Sequence, residues 1–324
     1  MKYTTVARAT LALLTLTTLL SCSKETDEDP QSVQERILRA YIELNYPGCT
    51  PTESGLYVVD RSEGSGAQIK DSSYVLLDYD ITYLNGTYVS YTSEETARQL
   101  GAFSNSDFYG PQIWYLPDTK AGVREILTGL KEGGHVKAVI PAWLLDVETE
   151  STIYDSDGST KIYDIYVRKV VPDIKKYEID QLEEYSKKGL SKIDSLSYGF
   201  YFYRNKISTD TLANETSYSV RYVGRYLDGK VFDTNIPDTA KRHRIYTGSD
   251  ENYEPLTFKY SNDWNTVLEK NSFVKGFNKA LFNMKLGERA TTFFWSELGY
   301  GTEGKDKIPG YMPLCFELYI YELE

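Results

Sequence analysis

The chain repeats itself once, and this constrains its fold more than any other feature. Residues 77–86, with Tyr79, Asn85 and Gly86, align with residues 220–229, with Tyr222, Asp228 and Gly229. Residues 127–133 align with 281–287, each ending on a glycine. Ahead of both, Tyr41 precedes Gly55 as Tyr185 precedes Gly199, by 14 residues in each copy. The offset grows from 143 residues (Leu77 to Val220) to 154 (Leu127 to Leu281). Such a period is a domain's worth of chain, not a solenoid repeat, so the 324 residues divide into two units of one fold. The boundary falls near Pro172, giving units at 31–172 and 173–324.

Each unit reads as a helix, then strands, a hairpin, a short helix and further strands. Val33, Ile37, Leu38, Tyr41, Ile42 and Leu44 form one apolar stripe at helical spacing, stopped by Pro47 and Gly48. A second helical stretch covers 173–189. Asn85-Gly86 and Asp228-Gly229 predict tight hairpin turns with positive φ at both turn positions. In the second copy the short helix is expected over 274–284, packed on one face of an antiparallel sheet, an α+β arrangement.

Residues 1–21 have the layout of a secretory signal. Lys2 and Arg8 carry charge, and the apolar run from Ala9 to Leu20 is too short to span a bilayer. Leu19-Leu20-Ser21-Cys22 resembles the lipobox of bacterial lipoproteins, which implies cleavage before Cys22 and acylation of that residue. Residues 22–30 then form a polar, acidic tether. The expected location is the cell envelope, lipid-anchored at the outer membrane on its periplasmic or surface face. A net charge of −11 repels phosphate backbones and excludes nucleic acid as a partner. Two histidines, His135 and His243, and three scattered cysteines leave no metal site and no redox pair, and no cofactor is expected.

The second copy carries five ordered motifs. Residues 220–233 resemble V-x-Y-x-G-x-L-x-D-G-x-x-F-D, with the leucine position falling on Arg225 or Tyr226 depending on how the hairpin is read. Residues 273–281 resemble V-I-x-G-W-x-x-A-L, 284–288 resemble M-x-x-G-E, and Leu298-Gly299-Tyr300-Gly301 resembles an A-Y-G corner. Ile308-Pro309 and then 314–318 resemble I-P followed by L-x-F-x-V. Together they resemble the FK506-binding-protein (FKBP) type of peptidyl-prolyl cis-trans isomerase. The resemblance implies two tandem FKBP-like domains, each a curved antiparallel sheet packed on a short α-helix and preceded by an N-terminal helix. It also implies proline-containing polypeptides as clients and macrolide-type compounds as inhibitors.

The chemistry is consistent with that resemblance. An X-Pro amide rotates over a barrier of about 18–20 kcal/mol because resonance holds it planar. A dry aromatic pocket favours the twisted amide without nucleophile, metal or cofactor. The resemblance assigns the pocket to Tyr222, Phe232, Asp233, Phe277, Tyr300, Ile308 and Phe316, with Val274, Phe273 and Leu256 at its rim. It implies that the Tyr300 hydroxyl and the Ile308 amide donate to substrate carbonyls, and that Asp233 faces the twisted carbonyl or orients nearby groups. The floor, Trp in much of the family, is here Phe277. Insertions at 235–254 and 261–272 are placed to cap the cleft, widen it or recruit a partner. Cys315 is expected as a packed thiol facing away from Phe316.

The first copy keeps Tyr79 but has Val89-Ser90 for Phe-Asp, Val123 at the floor and Tyr163 for Phe316, and lacks the Tyr-Gly corner and the Ile-Pro pair. It reads as a diverged, non-catalytic domain. Phe108, Tyr109, Trp114 and Tyr115 form an aromatic cluster in a long loop, for core packing or for binding. Gly299-x-Gly301-x-x-Gly304 matches a dinucleotide fingerprint, but the two prolines that follow forbid the required helix. Asp155-Ser156-Asp157-Gly158 reads as a hairpin turn. Two functions compete: an envelope lipoprotein isomerising X-Pro bonds through its second domain and assisting folding, and a non-enzymatic binding or chaperone-like lipoprotein using the same fold as scaffold.

Overall fold

The computed structural model describes residues 30–145, 160–187 and 194–323. The signal, Cys22, most of the acidic tether and the turn at Asp155-Ser156-Asp157-Gly158 lie outside them. Two antiparallel sheets account for the repeat. The first contains β1 (Tyr57–Ser62), β2 (Tyr74–Tyr83), β3 (Tyr88–Tyr91), β4 (Gln112–Tyr115), β5 (His135–Ile140) and β6 (Lys161–Val171). Their order is β1-β5-β6-β2-β3, with β4 also on β2. The second contains β7 (Asp194–Ser197), β8 (Phe200–Lys206), β9 (Ser217–Tyr226), β10 (Val231–Thr234), β11 (Leu256–Lys259), β12 (Arg289–Phe294) and β13 (Leu314–Glu322). Read from β8, the order β8-β12-β13-β9-β10, with β11 on β9, repeats the first sheet strand for strand. The hairpin strand β7 is the addition.

Alternation along the strands builds each core. In β2, Val75, Leu77, Tyr79 and Ile81 are buried and their neighbours are not. In β13, Leu314, Phe316, Leu318 and Ile320 join one core, while Cys315 faces the opposite side with Leu182, Phe293 and Trp295. There the Tyr185 hydroxyl donates to Cys315 Sγ at 3.4 Å, and burial pushes the thiol up to about 11.

The helices are α1 (Pro30–Asn45), α2 (Glu94–Gln99), α3 (Ala121–Leu127), α4 (Ile174–Ser186), α5 (Pro237–His243), α6 (Trp264–Lys270) and α7 (Lys275–Phe282). In α1 the predicted stripe is narrower than its spacing suggests. Leu38 and Ile42 pack with Val139 and Ile162, but Ile37 and Leu44 are exposed. Asp173 caps α4 by accepting from the Lys176 amide at 3.0 Å. Leu182 and Glu178 of α4 are buried, and the Glu178 carboxylate accepts from the Ser296 amide and hydroxyl at 2.6 and 2.8 Å. Helix α7 lies so close to its sheet that a Cβ at Gly276 would stand 2.5 Å from the Phe294 ring.

The hairpin turns differ from the expected pair of positive φ angles. Only Gly86 and Gly229 are left-handed, at 82° and 93°. Their amides donate to Tyr83 and Tyr226, so each hairpin closes through a three-residue loop ending in a left-handed glycine.

Candidate active site

The second sheet and α7 assemble an aromatic box. Tyr222 and Gly224 enter from β9, Phe316 from β13, Phe232 from β10 and Phe277 from α7. Phe316 is central: its ring centroid lies 5.2 Å from Phe277, 5.7 Å from Phe232 and 6.4 Å from Tyr222, the first two edge-to-face. Tyr222 meets Phe277 edge-on at 5.8 Å, and Phe273 lies against Phe277 at 5.0 Å. These spacings suit the aromatic quadrupole and leave an apolar wall on every side. Phe232, Phe277, Phe316 and Ile308 are buried; Tyr222, Phe273, Val274, Leu256 and Tyr300 pack half-buried against the same cluster. Leu256 stands on β11, opposite Val220 of β9.

Two local features make the box possible. The ladder between β9 and β10 shifts register between Val231 and Asp233, so Phe232 is an extra, unpaired residue. This bulge lets the consecutive Val231 and Phe232 both be buried, which a regular strand forbids. Opposite Phe316 stands Gly224. A Cβ there would lie 2.7 Å from Phe232 Cζ and 3.1 Å from Phe316 Cε1. Only a bare backbone lets both rings close over it.

Asp233 is exposed at the box edge. Its Oδ2 accepts from the Tyr222 hydroxyl at 2.6 Å, and its Oδ1 accepts from the Thr234 amide at 2.9 Å. Of the two expected roles, this is the orienting one. Burial, then the Asp233 charge, pushes the Tyr222 hydroxyl well above the ordinary phenol range, so it remains a donor. Tyr300 is raised by burial and by Asp233 and Asp306 in turn, and among the described residues no group accepts from its hydroxyl. That proton is available to a ligand carbonyl.

The Ile308 amide is a correction. It donates to the Lys305 carbonyl at 2.9 Å, while the Lys305 amide donates back to Ile308 at 2.8 Å. A donor committed to this small bridge is not free for substrate, and Ile308 contributes its buried side chain instead. The Val274 amide, preceding α7 and beside Phe273, has no acceptor among the described residues. Helix starts leave such donors unpaired.

Three further residues have roles that the sequence reading left unassigned. Tyr226, not Arg225, takes the leucine position: it is 1% exposed, whereas Arg225 pairs with Glu317 at 2.7 Å. Gly224 was visible within its motif, but its steric role needs the bulge. Asn235 accepts from the Tyr222 amide and donates to the Val220 and Glu254 carbonyls, pinning the first insertion to β9.

The first sheet keeps the bulge, with Val89 as its extra residue, but not the glycine. Ile81 stands opposite Tyr163, where the second sheet has Gly224 opposite Phe316. Val89, the counterpart of Phe232, is 41% exposed. A cavity of about 340 Å³ remains beside Val123, Trp114 and Tyr163, bounded by Glu303 and Tyr311 of the second unit. Trp114 and Tyr115 belong to β4, and Trp114 packs on Tyr79 at 4.7 Å.

An antiparallel sheet closed by a short helix defines the FKBP-like class, present here as two tandem copies, of which the second holds the aromatic box. Residues 209–321 match the model of the FKBP-type peptidyl-prolyl cis-trans isomerases, and the second domain belongs to that family. The chain is 37% identical over 75 residues to the short-type peptidyl-prolyl cis-trans isomerase of Methanocaldococcus jannaschii, covering 23% of this chain and 42% of that protein. It is 32% identical over 106 residues to the macrophage infectivity potentiator of Trypanosoma cruzi, covering 32% of this chain and 42% of the relative. The matches thus span under half the length of these two relatives. A solved peptidyl-prolyl cis-trans isomerase from Pseudomonas syringae pv. tomato is 25% identical, with a TM-score of 0.33 over 46% of this chain and 91% of that one.

Proposed function

We propose that the second domain isomerises X-Pro peptide bonds in polypeptide clients and that the chain is held at the cell envelope by lipid on Cys22. The observation that carries the reading is the Phe232–Phe316–Phe277–Tyr222 box, its rings seated on Gly224 and bordered by an unpartnered Tyr300 hydroxyl. A proline ring fits against these faces. With a neighbouring backbone carbonyl held by Tyr300 and water excluded from the prolyl amide, that amide loses the solvent stabilisation of its planar, charge-separated form. The Val274 amide supplies a second donor for the peptide backbone. Tyr222 is locked by Asp233 and shapes the wall.

Binding without turnover is favoured by one observation, the closure of the Ile308 amide on Lys305. A protease-coupled prolyl-isomerisation assay on the full chain separates the readings: acceleration supports catalysis, and macrolide binding without acceleration supports the scaffold. For the anchor, Cys22→Ser should move the protein from the membrane to the soluble fraction. Retention of that variant in membranes would exclude lipid at Cys22 as the anchor.

A further inference from the structure

We infer that the first domain supplies part of the second domain's site: residues 104–108, with Tyr74, hold the 300–311 loop and the Phe232 wall in position. The inference rests on the isomerase reading for its kinetic consequence only.

Several contacts carry it, some crossing from one unit to the other and the rest relaying them to the site. Phe108 lies edge-on to Tyr226 at 5.3 Å and packs on the core that contains Phe232 and Ile308. The Tyr226 ring in turn meets Phe232 at 5.0 Å. Its buried hydroxyl lies 3.1 Å from the Lys307 carbonyl and 3.4 Å from the Ser106 carbonyl. The Lys307 ammonium donates to Ser106 Oγ at 2.7 Å, and Lys230, in the hairpin beside Phe232, donates to the Asp107 carbonyl at 2.5 Å. Ser106 is 7% exposed and its hydroxyl also meets Ser104 at 2.8 Å, so this is an ordered seat.

The loop it holds needs holding. Asp306 and Tyr311 are left-handed at φ 51° and 58°, a conformation that costs a non-glycine residue of order 1 kcal/mol or more. Tyr311 is secured by its amide on the Gly301 carbonyl at 2.9 Å and by Tyr74 of the first unit, edge-on at 5.5 Å. The first domain therefore grips this loop at both Lys307 and Tyr311, on either side of Ile308. The tyrosine at position 226, where the resembled signature has leucine, now has a reason. A leucine fills the same core but has no hydroxyl to bridge Lys307 and Ser106. Phe108, Ser106 and Tyr226 are positioning residues, none of which needs to touch substrate.

The test uses the full chain with Phe108→Ala, Tyr226→Phe and the conservative Phe108→Tyr. Hydrogen exchange followed by mass spectrometry should show amides of 302–311 exchanging faster in the first two variants, with β12 and β13 unchanged and Phe108→Tyr close to the parent. In the isomerisation assay Tyr226→Phe should lower kcat/KM by about two- to tenfold, the effect of one hydrogen bond. Phe108→Ala should lower it at least as much, with thermal unfolding of the second domain retained. Unchanged exchange at 302–311 in both variants would overturn the inference. A parent with no isomerase activity would overturn the proposed function instead, leaving the exchange result to judge the positioning role.

Discussion

Gly224→Ala isolates the feature that separates the two copies. The added methyl would stand 2.7 Å from Phe232 Cζ and 3.1 Å from Phe316 Cε1, against an ordinary contact near 3.5 Å. Phe232 has no room to shift within the box, wedged between Tyr226 at 5.0 Å and Phe316 at 5.7 Å. Overpacking of this kind costs about 1–3 kcal/mol. Loss of glycine freedom in the unfolded chain returns about 0.4–1 kcal/mol, which leaves a net loss of about 0–2.6 kcal/mol. The strain is relieved by swinging Phe232 out of the box, so activity should suffer more than stability. A tenfold fall in kcat/KM corresponds to about 1.4 kcal/mol of lost transition-state binding, and at least that is expected. Urea unfolding followed by tryptophan fluorescence gives the first quantity and the prolyl-isomerisation assay the second. A variant with the parent's unfolding midpoint and the parent's kcat/KM would show that the rings do not close over this position in solution.

Other changes probe separate parts of the site. Tyr300→Phe removes one hydrogen bond and should lower kcat/KM about two- to tenfold at unchanged stability; no change would exclude Tyr300 as the carbonyl donor. Phe277→Trp enlarges the floor and should tighten macrolide binding, measured by calorimetry, whereas an unchanged Kd would show that the floor does not limit the pocket. Burial raises the Glu178 carboxyl to about 7 from a usual value of 4.5. The folded state therefore binds this proton more tightly, and the resulting stability is complete below pH 4.5 and lost as pH rises through 7. Between pH 5 and 8 the second domain should lose about 2–3 kcal/mol from this group. Glu178→Gln should remove that slope from urea titrations across the range; an unaltered slope would place the proton elsewhere.

The sequence was legible where local rules act. The ordered motifs around Tyr222, Phe277, Tyr300 and Phe316 named side chains that the fold brings into one cluster. Less was readable where backbone or distant chain decides. The Lys305–Ile308 bridge is made only of main-chain groups, so no side chain announced that the Ile308 amide was taken. The extra residue at Phe232 depends on how two strands register, and without it Gly224 and Ile81 look like a neutral exchange. Tyr226 meets Ser106 across 120 positions, a pairing that local periodicity cannot encode. The aromatic residues near 108–115 were noted, yet their split between a strand in one domain and a plug in the other is a tertiary fact.

The grip of the first domain on the 300–311 loop has a thermodynamic consequence that runs the other way. If that grip favours the conformation that binds a prolyl peptide, binding must strengthen the grip by the same factor, because coupling between two equilibria is reciprocal. A ligand in the box of the second domain should therefore slow hydrogen exchange at Ser106 and Phe108, residues it never touches. The diverged copy would then serve as a reporter of occupancy in its neighbour.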